Sequence, residues 1–250
     1  MNDNPGADDH ITRLKDDAND RRWPNVRPKD AATLIILDRA GPVPKVLMGR
    51  RHPGHAFMPG KFVFPGGRIE AGDRQMNVTG TLDERCEARL MARVQRPTVS
   101  RTRALALAAI RETFEETGLL FGANDMGTPD NPPEGAWAEF ASHGVYPDLA
   151  ALTFVARAIT PPGRPRRFDA RFFAIDYASL AHKVDGVVGP ESELDELVWV
   201  TFQDTKAIEL PNVTRVVLDE LSARIANGFS PFLKVPFYFE QRNVWVREEL

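Results

Sequence analysis

Cysteine is almost absent from this 250-residue chain: Cys86 is the only one, so neither an intrachain disulfide framework nor a cysteine-based zinc site is available. A cytoplasmic, reducing compartment is the expectation. Cys86 sits among Glu84, Arg85 and Glu87 with no histidine near it in sequence, which argues against a nucleophilic thiol. An excess of charge of one sign is lacking too. A net charge of −3 and a pI near 6.0 give no electrostatic reason to expect nucleic acid, so any nucleotide bound is expected to be small. Long apolar runs are missing: the best candidates, "TLIIL" and "ALALAAI", fall far short of a membrane span, and no membrane partner is expected. The five histidines are scattered without metal-ligand spacing.

What is present is ordinary for a soluble globular protein, with 42% hydrophobic and 27% charged residues and enough length for a substantial core. Residues 1–27 are polar and acidic and read as a mobile tail, leaving 28–250 as one domain. "ATLIILDR" and "KVLMGRR", separated by Gly41, Pro42 and Pro44, predict a hairpin. A Gly/Pro-dense loop, "HPGHAFMPGKFVFPGG", follows with a short strand at Lys61 to Phe64. Two excursions are expected, one helical at about 74–100 and one at about 123–148 with a short helix at "AWAEFASHG". Strand signals return at "LTFVARAITPP", "RRFDARFFAIDY" and "ELVWVTF", and a helix at about Asn212 to Ala226 starts after Pro211. Strands on both sides of a central helix suggest a mixed α/β layered domain.

That central helix carries the chemistry. In "ALALAAIRETFEETGLLFG", Leu107, Ile110, Phe114 and Thr117 form an apolar stripe, Gly118 is the stop, and Glu112, Glu115 and Glu116 gather on the opposite face. Like charges at spacings of three and four, close to the negative end of the helix dipole, each cost a few tenths of a kcal/mol, roughly. Arg111 offsets only part of this. Two readings stand: a solvated acidic face, or a hard oxygen cluster of the kind Mg²⁺ or Mn²⁺ accepts.

Read with "FPGGRIEAGD", "RETFEETGL" resembles the signature of the Nudix hydrolases: Gly, five residues, Glu, seven residues, then Arg-Glu-apolar-x-Glu-Glu-x-Gly-apolar. The second half is complete from Arg111 to Leu119. The first half begins at Gly67, with Asp73 where the family has Glu, and Arg111 follows Asp73 by 38 positions where the pattern has eight. The box therefore contains an insertion, which closure entropy tolerates because it grows only logarithmically with loop length. The resemblance implies an α/β/α sandwich around a mixed sheet, with a helical insertion inside the box, and hydrolysis of a diphosphate linked to another group.

By the same resemblance Glu112, Glu115 and Glu116 would hold Mg²⁺ or Mn²⁺ with the Gly67 carbonyl, and Arg111 would orient the glutamates. Asp73 would support the site or contribute nothing. A general base outside the box is common in the family, and Glu193, ahead of Glu191 and Glu196, is the first choice in "GPESELDELVWV"; the bland alternative is that these acids only solubilise a loop. The insertion, "HAFMPGKFVFPGG" and "TPPGRPRRFDARFF" resemble the coenzyme A diphosphatase branch, making coenzyme A or its acyl derivatives the expected substrate, with ADP-ribose, NADH or a nucleoside triphosphate as alternatives and a non-catalytic binding module as a further one. Another coenzyme A pattern is not met, because Ala56 stands where it has Arg. Arg51, Arg167 and Arg171 are the candidate phosphate ligands, the latter two equally explained as a surface ion-pair ladder. The aromatic C-terminal tract "FSPFLKVPFYFEQRNVWV" either folds back on its own core or covers a second copy in a homodimer.

Overall fold

The computed structural model describes residues 5–16, 22–55 and 58–250; Ala56 and Phe57 lie outside the described residues. Along the chain run α1 (Pro5–Asp16), β1 (Lys29–Asp38), β2 (Lys45–Arg51), β3 (Phe62–Val63), β4 (Gly66–Arg68), α2 (Glu84–Met91), α3 (Val99–Thr117), β5 (Leu119–Phe121), α4 (Ala136–Ser142), β6 (Thr153–Ile159), β7 (Phe168–Asp176), β8 (Leu180–Lys183), β9 (Leu194–Thr201), α5 (Asn212–Ala226), β10 (Pro236–Gln241) and β11 (Val244–Glu249).

The main sheet is ordered β11-β10-β6-β7-β1-β2-β3, with β4 also pairing β1 and β9 also pairing β2. It is mixed: β1 runs parallel to β7, and β10 to β6, while β1–β2, β2–β9 and β6–β7 are antiparallel. Strand periodicity divides the core between the two faces. Ala32, Leu34 and Ile36 of β1 pack with α3 and α2, whereas Ile35 and Leu37 face α5, so β1 is apolar on both sides. The result is the expected α/β/α sandwich.

The hairpin of β1 and β2 and the helix after Pro211 fall where the sequence places them, and α2 and α4 lie within the stretches 74–100 and 123–148. The expected tail does not hold as a whole. Residues 5–16 form α1, docked by a salt bridge from Arg13 Nη1 to Asp219 at 2.7 Å and by Asn212 Nδ2 donating to the Arg13 carbonyl at 2.9 Å. Leu14 of α1 also enters the core with Ile11 packed beside it, but two apolar residues among charged ones make no apolar run to find. The C-terminal tract folds back as β10 and β11 at the edge of the sheet, burying Phe237, Tyr238 and Trp245.

Candidate functional site

Helix α3 is capped by Thr98, whose hydroxyl accepts from the Arg101 N–H, and ends at Gly118 in the left-handed region. It lies across the sheet at β1 and β4 and is buried around most of its circumference, including Arg111, Thr113 and Glu116. Glu112 and Glu116 are therefore not a solvated face, whereas Glu115 is exposed and does not line the cleft beside them. Glu116 is 5% exposed and its Oε2 has no hydrogen-bond partner among the described residues. Burial raises its pKa well above the carboxylate range; the charges of Glu193 and Glu112 add to this, and Arg51 and the Gly66 backbone oppose it. Burial also pushes Glu112 up to about 7, with Glu115 and Glu193 adding and Arg111 opposing.

Gly67 of β4 faces Glu112 so closely that a Cβ there would lie 2.2 Å from Oε1. Only glycine lets the carboxylate lie against this backbone. Arg111 is the hub beneath: its Nη1 lies 2.6 Å from Glu115 Oε2 and 3.0 Å from Glu112 Oε1, and its Nη2 donates to the Arg68 carbonyl at 2.7 Å. Its Nε donates at 2.8 Å to Asp73, which is fully buried and also accepts from the Trp137 indole at 3.1 Å and the Glu70 N–H at 2.7 Å. Asp73 thus holds the arginine that holds the glutamates.

A cleft of about 700 Å³ opens beside these groups. Glu112, Glu116, Gly67, Arg51 and Glu193 all line it. Glu193 is held by Arg51 Nη1 at 2.7 Å, with His55 Nε2 at 3.7 Å. Of its two neighbours, Glu196 pairs with Arg50 at 3.2 Å and Glu191 is exposed.

Arg167 and Arg171 are not brought to the cleft. Phe168, Ala170 and Phe172 of β7 line it, so the alternation of the strand turns Arg171 to the α3 side, where it is fully buried and bridges Asp30 at 2.8 Å and Asp169 at 3.2 Å. Arg167 is bound to the Thr160 and Val26 carbonyls and to Asn25. Neither reading of the pair as substrate ligands or as a surface ladder describes Arg171, which is an internal brace. Of the three candidate arginines only Arg51 reaches the cleft, and the rest of its cationic lining comes from Lys61, Arg68, Arg164 and Arg166. Two of these, in "GRPRR", adjoin Arg167; the strand start at Phe168 decides which side each takes, and composition alone does not show it.

No protein-family model matches the chain. It is 26% identical over 181 residues to the Caenorhabditis elegans protein named "Putative nudix hydrolase 7", a match covering 69% of this chain and 51% of the relative. The chain thus spans about half the length of that curated relative. Among solved structures, the NUDIX hydrolase from Alicyclobacillus acidocaldarius superposes with a TM-score of 0.60 at 28% identity, covering 79% of this chain and 92% of the other. The sandwich is the Nudix fold, and the solved structure and the nematode relative together support placing the chain in the Nudix hydrolase family.

Proposed function

We propose that the chain hydrolyses the diphosphate bond of a nucleoside diphosphate linked to a second organic group, with coenzyme A or acyl-coenzyme A as substrate. The observation that carries this is the buried Oε2 of Glu116, without a hydrogen-bond partner among the described residues, on the wall of a cleft that also presents Glu112, Glu193 and five cationic side chains, Arg51, Lys61, Arg68, Arg164 and Arg166. Buried acids beside cations suit a substrate whose phosphates need both a cation and direct ion pairs.

The donor set fits Mg²⁺ or Mn²⁺, being all hard oxygens: Glu112, Glu115, Glu116 and the Gly67 carbonyl. Among the described residues no three Asp, Glu, His or Cys side chains already stand as a ligand set. Glu112 and Glu115 would therefore exchange Arg111 for the ion, a change of side-chain torsion on a fixed helix. When bound, such an ion neutralises diphosphate charge and lowers the pKa of a coordinated water. Glu193 is placed to accept a proton at its carboxylate, oriented by Arg51. Arg111 is a positioning residue, and Lys61, Arg68, Arg164 and Arg166 pair with phosphate oxygens. The volume suits a nucleotide conjugate, since ligand clefts run to about 300–1,000 Å³.

The test is incubation of purified protein with coenzyme A and Mg²⁺, with and without chelator, alongside ADP-ribose and NADH, with products resolved by chromatography. Chelator-sensitive release of 3′,5′-adenosine diphosphate is expected. Cleavage of ADP-ribose or NADH alone would move the substrate while keeping the chemistry, and no cleavage of any would leave a binding module.

A further inference from the structure

We infer that a groove running across the sheet from the glutamates to Trp245 is the subsite for the substrate's second organic group, and that it takes an extended, largely aliphatic chain bearing a carbonyl or amide acceptor, with the Trp245 indole N–H as donor. This rests on the diphosphate-hydrolase reading above and names which part of the chain selects the substrate.

The floor of the groove follows from the register. Ala158 of β6 stands opposite Ala170 of β7, Ala170 opposite Ala31 of β1, and Ala31 opposite Arg68 of β4. All four line the cleft. Three methyl groups in a row leave a trough where larger side chains would fill the face, and the row leads from a cation beside the glutamates toward the sheet edge. Tyr238 of β10 stands opposite Ala158, and β11 lies beyond it. There Trp245 lines the cleft together with Leu14 of α1. From β4 to β11 is five strand spacings, roughly 24 Å. A sugar joined directly to the diphosphate spans little more than one such spacing and ends far short of the tryptophan.

Trp245 supplies the second observation. It is 7% exposed, yet its Nε1 has no acceptor among the described residues. Buried N–H groups are almost always paired, and phenylalanine would fill the same space without an orphaned donor. A ligand acceptor completes this one. The surroundings specify its kind: Leu14, Ala158, Phe172 and Val213 are apolar, which suits an aliphatic chain with an isolated carbonyl. A nucleobase edge carries donors as well as acceptors, and such walls would leave several of them unpaired.

The experiment uses the full chain and two readouts. In kinetics, coenzyme A is compared with adenosine diphosphate joined to an unfunctionalised alkyl chain of the same length. Trp245→Phe is expected to raise KM for coenzyme A about tenfold, equivalent to about 1.4 kcal/mol, with kcat nearly unchanged and the alkyl conjugate unaffected. Ala158→Leu, which raises the floor, is expected to raise KM for both. In the second readout, needing no turnover, phosphopantetheine is titrated into ¹⁵N-labelled wild-type protein, and the indole resonance of Trp245, assigned from the Phe variant, is expected to shift. Equal effects of Trp245→Phe on both conjugates would overturn the inference. So would an indole resonance that ignores phosphopantetheine, or one that answers adenosine monophosphate instead. Absent hydrolysis with the indole shift intact would reject the proposed activity and leave the subsite standing.

Discussion

Asp73 and Arg111 meet across the interruption of the box, Oδ1 accepting from Nε at 2.8 Å although 38 residues separate them, with side-chain exposures of 0% and 4%. The helical insertion leaves the pair intact because both ends of the inserted segment return to the start of α3. Trp137, from the second excursion, donates its indole N–H to the same carboxylate oxygen, so the cavity is sized for aspartate. Asp73→Ala would leave Arg111 Nε and the Trp137 indole N–H buried without their acceptor while Glu112 and Glu115 still pair the guanidinium, and each unsatisfied buried donor costs about 1–3 kcal/mol. For both donors in a chain of this size that is a fall of roughly 10 °C in Tm. Thermal unfolding checks it, and an unchanged Tm would mean the pair contributes nothing.

Gly67→Ala separates site geometry from stability. The new Cβ would meet Glu112 Oε1, Cδ and Oε2 at 2.2, 2.3 and 2.6 Å, and these atoms are the far end of a flexible side chain. Glu112 swings away and the backbone stays. Hydrolysis is therefore expected to fall by at least roughly tenfold, the equivalent of about 1.4 kcal/mol on the barrier, while Tm moves by no more than about 4 °C. A large loss of Tm with activity retained per folded molecule would contradict the assignment of Glu112 to the site.

Glu193→Gln removes the proposed proton acceptor while keeping its shape and the contact with Arg51. General-base removal costs about 10²–10⁴ in rate, so kcat is expected to fall within that range with KM little changed. Arg51→Lys keeps the charge and loses the fork geometry, and an intermediate loss is expected. Steady-state kinetics distinguish these outcomes: a rise in KM alone for Glu193→Gln would make it a binding residue.

The glutamate helix was legible because a 3.6-residue period and a Gly stop are local signals, and the site's central acids lie on that one element. The surrounding groups were not, for physical reasons that differ. Arg171 lies on a strand apolar at both faces, so alternation divides the residues correctly but does not tell the cleft from the core. Trp137 and Trp245 read as generic aromatics, because a bonded indole and an orphaned one are the same letter. Residues 5–16 lack a strong apolar stripe, so the docking of α1 through His10 and Arg13 depends on acids more than 200 positions away.

His10 makes that docking pH-dependent. Its ring is buried between α1, α5 and β10, with Nδ1 3.0 Å from the Tyr238 hydroxyl and 3.6 Å from Glu220, and Nε2 3.4 Å from Asp219; Arg13 also pairs with Asp219 and Arg247 with Glu220. Burial opposes the imidazolium, but the hydrogen bonds and charges of Asp219 and Glu220 outweigh it and lift the pKa from 6.5 to about 9. A pKa raised in the folded state gives stability that is fully present below about pH 6.5 and lost as pH rises through about 9. Wild type is therefore expected to exceed His10→Gln in Tm at pH 6, with the gap closing by about pH 10. Because Leu14 on the same helix lines the cleft, limited proteolysis at the N-terminus should follow the same curve. A gap that stays constant from pH 6 to 10 would show that His10 holds the helix by packing and not by its charge.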